Sequence, residues 1–550
     1  MIRQLLLATL LVVAARDGLR AQELRGVVVD SATRRPIAGA VLVVLDATGS
    51  TLARNITNER GVYRVALPER AHQVRALRIG YRLRDMPLPD RTGDITELTV
   101  AMIAIPSLLE PMTVSAAASC PRRSDVAAAY SLLEQARAGL LATIVAREAR
   151  PATLKVLIYE RVMDGNSDRV DHQKVQIDSS VARTTSFSAA ATASRFVERG
   201  FAEDSANTRM YYGPDAEVLL DDKFLVGYCI RVEDPERERP NQVGLGFSAA
   251  DRRRGRIDIE GALWIDTVAK ALRDFDFRFI GVERGRGAPI PGGRIWFREM
   301  ENGVVLIDRW YFRLIGATTD TVYGRNNVLQ PRQSFFTRFA GGELARAIWP
   351  DGLAWKGPLG IVQVHVVDEK GKPATGLVVR LGDSDYLASP DAHGDLEIPD
   401  VLPGPYPVMV IDSVLASAGV TLGTPLTVFA LRDSVAKATL VAPPPSEFQR
   451  KACSMTGSRA WVLVHVERNG VPVNEALWDI GRSLGSPNEF VVASGITGKD
   501  GTFGFCDRYT PDRVFDLRAR DSAEPRRPVI LTVSGMHRDL TIELPPRVAP

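Results

Sequence analysis

Short hydrophobic runs broken by Pro, Gly, Asn and Asp recur along this chain, and three groups of them share one order. The first reads Gly26-Val-Val-Val-Asp30, then Pro36-Ile-Ala-Gly39-Ala40-Val41, then Thr57-Asn-Glu-Arg-Gly61-Val-Tyr63. The second runs from Gly360 to Asp368, then Pro373-Ala-Thr-Gly376-Leu-Val378, then Asp391-Ala-His-Gly394-Asp-Leu396. The third, the most degenerate, runs from Val462 to Glu467, then Pro472-Val-Asn-Glu-Ala476, then Thr497-Gly-Lys-Asp500-Gly501-Thr-Phe503. Each group reads as a strand, a Pro/Gly turn, a second strand, and a polar hairpin ending in Gly that leads into a third strand. Glycine at those hairpins supplies the positive φ that tight turns require. Val41, Val43 and Leu45 alternate with Leu42 and Val44, so this strand is apolar on both faces, as for a strand packed inside a sandwich. The pattern predicts a mainly β protein: several antiparallel β-sandwich domains (transthyretin-like or Ig-like) flanking a middle domain of one helix and an antiparallel sheet.

These groups resemble the carboxypeptidase regulatory-like domain, a small transthyretin-like (prealbumin-like) sandwich. The resemblance covers residues 24–105 best, 358–442 less well, and 459–546 as a divergent third copy. In that family the module accompanies some metallocarboxypeptidases and recurs in exported bacterial proteins with a carbohydrate-binding-like fold. The resemblance therefore implies a module with no catalytic residues to carry over. Residues 106–123 read as a linker, and Leu109 to Ser115 within it is similar to the connector after such a domain in TonB-dependent outer-membrane receptors. Those receptors continue into a plug and a large barrel, whose final barrel-strand pattern is not expected from this sequence.

Between the sandwiches, residues 124–345 read as a helix followed by antiparallel β structure. Ser124 and Asp125 suit a helix start, and Tyr130, Leu133, Leu140, Leu141, Ile144 and Val145 give an apolar stripe that Gly139 interrupts. The helix is expected to pack on the sheet that follows. Strands are predicted at Leu154–Tyr159, Phe224–Cys229, Ile257–Asp266, Phe275–Ile280, Ile295–Arg298 and Val304–Leu314, the last two joined at the hairpin signal Asn302-Gly303. The Gly-x-Leu-Trp-x-Asp stretch and the aromatic-rich strand after it are loosely similar to curved sheets of periplasmic lipoprotein carriers, and lipid binding is not carried over from that. Residues 443–458 begin with Pro443-Pro-Pro445 and read as a stiff linker.

Residues 1–21 read as a secretory signal: Arg3, then an apolar run from Leu5 to Ala15 that is too short to span a bilayer, with cleavage expected after Ala21. The alternative is an uncleaved N-terminal anchor. Gln22 follows the expected cleavage point, so no lipid-anchoring Cys stands there. No later segment is long and apolar enough to span a membrane as a helix. The expected address is periplasm, outer-membrane-associated or extracellular.

Formal net charge is +3, and the leader's three Arg and one Asp leave about +1, so no global field recruits nucleic acid. The basic residues are 59 Arg and ten Lys. The densest cluster, Arg252 to Arg256, has Asp251, Asp258 and Glu260 beside it and reads as a solvated loop. Four cysteines in an exported chain invite pairing. Cys453 and Cys506 bracket strands of the third sandwich, which leaves Cys120 for Cys229, and each bridge would stabilise by roughly 2–4 kcal/mol.

Chemistry-bearing motifs are scarce. The six His are scattered, and none opens a His-x-x-Glu or His-Glu-x-x-His pair, so neither a zinc site nor another cofactor is expected. His365 and His465 fall at equivalent first strands and read as strand positions. No Gly-x-Ser-x-Gly elbow or phosphate loop occurs. Asp221 and Asp222 read as a polar turn before the Phe224 strand. Aromatic residues gather in the middle domain, and Trp264, Trp296 and Trp310 are candidate ligand-facing rings, although a sheet core would gather the same residues. The sequence thus points to a non-catalytic exported binding or scaffold protein of the envelope, its partner a polysaccharide or an outer-membrane protein. The alternatives are a glycan hydrolase in the middle domain, an accessory to a carboxypeptidase, or a structural spacer.

Overall fold

The structure, a computed structural model, describes residues 22–89, 93–106, 126–163, 170–181, 187, 189–205, 208–250, 255–282, 290–323, 329–412, 420–444, 447, 448, 450, 451, 453, 460–498, 501–507, 514–533 and 539–547. The expected leader, the connector-like stretch with Leu109–Ser115 and Cys120, the expected Ser124–Asp125 helix start, Arg252–Arg254, Pro445 and the Cys506 side chain lie outside the described residues. The chain divides into two compact units, residues 1–172 with 176–357, and residues 173–175 with 358–550.

The first sandwich is built from β1 (Gln22–Asp30), β2 (Val41–Leu45), β3 (Thr51–Ile56), β4 (Val62–Leu67), β5 (Gln73–Leu77), β6 (Arg84–Pro87), β7 (Ile95–Glu97) and β8 (Val100–Met102). In one sheet β1 lies between antiparallel β4 and parallel β7 and β8; the other has the order β3-β2-β5-β6. The middle domain supplies β9 (Thr153–Met163), β10 (Val170–Val181), β11 (Ala202–Ser205), β12 (Thr208–Tyr211), β13 (Tyr228–Glu233), β14 (Gln242–Ala249), β15 (Asp258–Asp266), β16 (Ala271–Ile280), β17 (Gly292–Glu299), β18 (Val305–Tyr323), β19 (Leu329–Ile348) and β20 (Ala354–Lys356). The second sandwich holds β21 (Gly360–Val367), β22 (Leu377–Leu381), β23 (Asp383–Ser384), β24 (Leu387–Ala388), β25 (Asp395–Val401), β26 (Gly404–Asp412), β27 (Thr421–Ala430) and β28 (Val435–Val441). The third holds β29 (Ala460–Arg468), β30 (Val471–Pro472), β31 (Leu477–Arg482), β32 (Phe490–Ile496), β33 (Thr502–Asp507), β34 (Phe515–Arg520), β35 (Val529–Val533) and β36 (Asp539–Glu543).

All three sandwiches have one topology. Like β1, β21 lies between antiparallel β25 and parallel β28, and β29 between antiparallel β33 and parallel β36. The second sheets are ordered β24-β22-β26-β27 and β32-β31-β34-β35. The shared hairpin glycine explains the repeated sequence. Gly61, Gly394 and Gly501 have φ of 69°, 82° and 72°, and each sits beneath the Pro of its copy, Pro36, Pro373 or Pro472. A Cβ on Gly61 or Gly501 would lie 2.6 or 2.7 Å from the carbonyl oxygen of Val28 or Val466, so both backbone and space demand glycine. The divergent third copy also shares a latch with the first. Thr57 Oγ1 donates to the Ile37 carbonyl (2.7 Å) and accepts from the Ala40 amide (2.8 Å). Thr497 does the same with the Val473 carbonyl (2.7 Å) and the Ala476 amide (2.9 Å).

The helix Val126–Ala149 accounts for the two-faced apolarity of β2. Leu42 and Val44 face the sandwich interior, while Val41, Val43 and Leu45 belong to a second core that includes Leu132, Ala136, Leu140 and Val145 of the helix and the inner face of the middle sheet. The helix is therefore buried on two sides, and its apolar residues run around most of its circumference. Gly139 marks the crossing: a Cβ there would lie 2.8 Å from Ile79 Cδ1 of the sandwich and 3.1 Å from Leu272 Cβ of β16. Polar bonds fix the same interface. Gln135 Oε1 accepts from the Gly80 amide (2.7 Å), Arg54 makes two 2.8 Å bonds to Glu148, and Arg78 pairs with Glu299 at 2.7 Å. Arg150 donates to the Asn302 carbonyl (2.8 Å), so the hairpin turn also serves as a docking point.

The middle sheet is a meander from β13 to β19, with β9 and then β10 added beyond β19. Antiparallel ladders run without a break from β13 to β19 and on to β9. Two sequence expectations are corrected. The Phe224 segment is a short helix, Asp222–Gly227, because Asp221 caps it by accepting from the Lys223 amide (2.8 Å) and Phe224 turns inward to stack on Tyr228. Arg256 is not solvated: it pairs with buried Asp258 at 2.5 Å and donates to the Val197 carbonyl at 2.6 Å.

Gly61→Ala and Gly501→Ala are each expected to destabilise by about 1–3 kcal/mol, read as lower thermal midpoints; unchanged midpoints in both would remove the shared-turn account. Gly139→Val should likewise lower stability by about 1–3 kcal/mol through overpacking, although helix propensity alone favours Val over Gly.

Candidate binding face

Aromatic residues crowd the middle sheet for a structural reason. Across neighbouring strands, rings lie opposite glycines: Trp264 opposite Gly244, Phe277 opposite Gly293, Trp310 opposite Gly342, Tyr159 opposite Gly341, and Phe336 opposite Gly316. At Gly293, Gly316 and Gly342 a ring atom of the partner would lie 2.1–2.6 Å from a Cβ on the glycine, and at Gly244 the Trp264 ring would lie 3.1 Å from it. A flat ring thus covers backbone that glycine leaves bare. Phe247, Phe275, Phe277 and Phe279 continue this packing as a chain of ring contacts within the core, with centroids 5.0–5.6 Å apart.

The three tryptophans singled out from sequence therefore separate. Trp310 is 7% exposed and packs in the core against Phe187. Trp264 is 3% exposed beneath the Arg239 guanidinium, which lies 4.4 Å from its ring centroid. Neither ring is presented to a ligand. Trp296 alone of the three is half-buried, on the sheet face turned away from the helix.

Around Trp296 the β17–β18 hairpin carries a pattern that the sequence reading missed. Arg294, Trp296 and Arg298 alternate on β17, and Arg309, Tyr311 and Arg313 on β18. In the ladder Arg294 is opposite Tyr311 and Trp296 opposite Arg309, so guanidinium and ring alternate both along and across the strands. The guanidinium carbons of Arg294 and Arg309 lie 4.8 and 4.5 Å from the Trp296 ring centroid. Tyr311 contacts Trp296 (5.6 Å between centroids) and Phe339 on β19 (5.1 Å). On β9, Arg161 lies 4.3 Å over the Tyr159 ring. Burial pushes the Tyr311 phenol up, so it stays a protonated donor. The period-two spacing Arg-x-aromatic-x-Arg, repeated on both strands of one hairpin, was the readable signal.

Carboxylates on this face are held in ion pairs. Asp274 accepts from Arg239 (3.2 Å) and from Arg294 (2.9 and 3.1 Å), and Asp308 accepts from Arg298 (2.8 Å). Glu343 is buried on the same face, in register with Arg309. The buried Tyr228 phenol donates to Asp258; burial first, then the Asp258 charge, pushes it up, so it remains protonated. Asp221 and Asp222 sit at a helix junction, and His365 and His465 pair on strand surfaces with Asp395 (2.8 Å) and Asp539 (2.9 Å). Among the described residues, no three His, Cys, Asp or Glu are placed to hold a metal ion. A cleft of about 520 Å³ lies between the helix and the β5–β6 turn, lined in part by Leu77, Arg78, Tyr81, Ile105 and Gln135. Its Arg78 and Gln135 are already bonded, to Glu299 and to Gly80. Cys229 lies on β13 and Cys453 is buried, so the expected pairings still turn on Cys120 and Cys506.

Residues 23–102 match the carboxypeptidase regulatory-like domain family, which bears out the resemblance of the first sandwich. No curated protein matches the chain. Among solved structures, the chain is similar to a streptococcal ancillary pilin at 14% identity, over 47% of this chain and 82% of that one, with a TM-score of 0.15. It is also similar to a variant of the major pilin subunit of Bacillus cereus at 9% identity, over 76% of this chain and 99% of that one, with a TM-score of 0.13. Superposition this poor carries no functional weight, and the sandwich assignment rests on the strand orders above.

Trp310→Ala is expected to cost about 3–5 kcal/mol in denaturant unfolding, and Trp296→Ala about 1–2 kcal/mol, mainly lost cation–π contact. Equal costs would contradict the division between core and face.

Proposed function

We propose that this chain, whose first sandwich is a carboxypeptidase regulatory-like domain, is a non-catalytic exported binding and scaffold protein of the cell envelope. We further propose that its ligand is an acidic polysaccharide laid along the β17–β18 hairpin. The observation that carries this reading is the alternation of guanidinium and ring on the outer face of the middle sheet. Guanidinium groups present planar forks that match carboxylates, and ring faces accept the apolar side of a sugar. Same-face residues repeat at about 6.8 Å along a strand, so a chain on the hairpin meets guanidinium, ring and guanidinium in turn. Carboxylates tied up in ion pairs support binding without hydrolysis.

Retention of the leader-free protein on polygalacturonate, compared with neutral dextran, tests the reading. Binding is expected to the acidic polymer alone, to weaken with salt, and to fall at least about tenfold in Arg309→Ala/Arg313→Ala, since the loss of even one charge-assisted hydrogen bond costs about that much. Equal retention on dextran, or an unaffected double variant that still unfolds at the native midpoint, overturns the acidic-polymer reading. Release of soluble sugar overturns the non-catalytic one, and recovery of outer-membrane proteins in place of polymer favours a protein scaffold.

A further inference from the structure

The edge of a sheet presents unpaired amides and carbonyls, and proteins normally cover, shorten or charge it. The three sandwiches supply an internal comparison, because the same topological strand forms an edge of the second sheet in each. In the first copy β3 is covered: it packs under the long helix, and its Arg54 is held by Glu148 through two 2.8 Å bonds. In the second the position is shortened to the two-residue β24. In the third the strand is neither covered by the helix nor shortened, and carries instead a β-bulge at Val492. β32 runs for seven residues, Phe490-Val-Val-Ala-Ser-Gly-Ile496, with no charge and no proline. It pairs with β31 on one side, and among the described residues no strand pairs with its other side. Phe490, Val492 and Ile496 are 65%, 52% and 58% exposed. The charges beside β32 lie at its flank and on β31: Glu489 is bound to Arg518 at 2.7 Å, and Asp479 accepts from Ser494 at 2.6 Å.

We infer that β32 is where two copies of this chain join, edge to edge and antiparallel, about a two-fold axis. An isologous contact must be complementary to itself. A two-fold across the middle of β32 sets the Phe490 end of one copy against the Ile496 end of the other, apolar against apolar. No charge within the strand repels its own copy. The register shift opposite Ile480 and Gly481, which makes Val492 the extra residue of a bulge, projects that side chain without shortening the strand. The joined sheet would run β35-β34-β31-β32 and continue into the same four strands of the second copy, closing both edges at once.

Sedimentation equilibrium of the leader-free full chain tests this directly. The wild type is expected to dimerise, and Val492→Lys to raise the dissociation constant at least about tenfold by placing like charges across the axis. Val441→Lys, at an exposed position of β28, should leave it unchanged. Ile496→Lys repeats the test at the other end of the strand should Val492→Lys fail to fold. A wild type that stays monomeric as concentration rises, or a dimer unaffected by the folded β32 variant, overturns the inference.

Discussion

The first unit depends on burying one helix between two sheets. The helix Val126–Ala149 fills the space between the β3-β2-β5-β6 sheet of the first sandwich and the inner face of the middle sheet, and all three share one core. Apolar surface on both sides of the helix and on both faces of β2 leaves water only in this arrangement, and burial of this kind is the main favourable term in folding. Gly139 is part of the constraint. Its missing side chain lets Ile79 and Leu272 approach the helix backbone from opposite directions, so the weaker helix is the cost of close packing at the crossing. The first sandwich is thereby one wall of a larger core, with ion pairs such as Arg78–Glu299 setting its orientation.

One topology meets its outward face in contrasting ways in the first and third copies. The first presents Val41, Val43 and Leu45 and covers them with the helix. The third presents Asp479, Asp516, Arg518 and Arg520, and this face is bonded by its own charges: Arg518 to Asp479 at 2.6 Å, Ser494 to Asp479 at 2.6 Å, Thr532 to Asp516 at 2.8 Å. A charged face tolerates water, and the exposed apolar residues of this sheet lie on its edge strands, β32 and β35. Divergence between the repeats is therefore concentrated in what covers each second sheet, while the Gly-under-Pro hairpin that builds the fold is held in all three.

That distinction also explains what could be read in the sequence. Gly61, Gly394 and Gly501 announce themselves because a turn with positive φ restricts the residue type and keeps fixed spacing from its strands. The Thr57 and Thr497 latches were visible as residues but not as a role, since a buried hydroxyl bridging two loops has no local pattern. The β2 alternation showed two buried faces yet could not say what buried the second, because the helix lies far along the chain. Phe224 was misread because a short apolar run fits a strand or a buried helix turn equally, and the cap from Asp221 decides it. Trp264 and Trp310 could be read either as ligand-facing rings or as sheet core, because the glycine partners that decide it, Gly244 and Gly342, lie on other strands.

Those glycine partners make a general point about aromatic clusters in antiparallel sheets. A ring required to cover a glycine has a structural duty that sequence proximity hides, and it is spent before any ligand arrives. The face proposed for recognition is the one where rings are opposite guanidinium groups. Trp296 opposite Arg309 and Tyr311 opposite Arg294 gain little as core packing, because the charges keep that face hydrated and the rings half-buried. A sheet that only needed stability would place apolar or β-branched residues there. Alternating Arg and aromatic positions on two adjacent strands are the feature on which the proposed acidic, ring-bearing ligand rests. Asp274 and Asp308 pair with Arg294 and Arg298, buried Glu343 is in register with Arg309, and Arg313 donates to the Ile290 carbonyl at 2.9 Å, so the guanidinium groups of the hairpin are held in place before any ligand arrives.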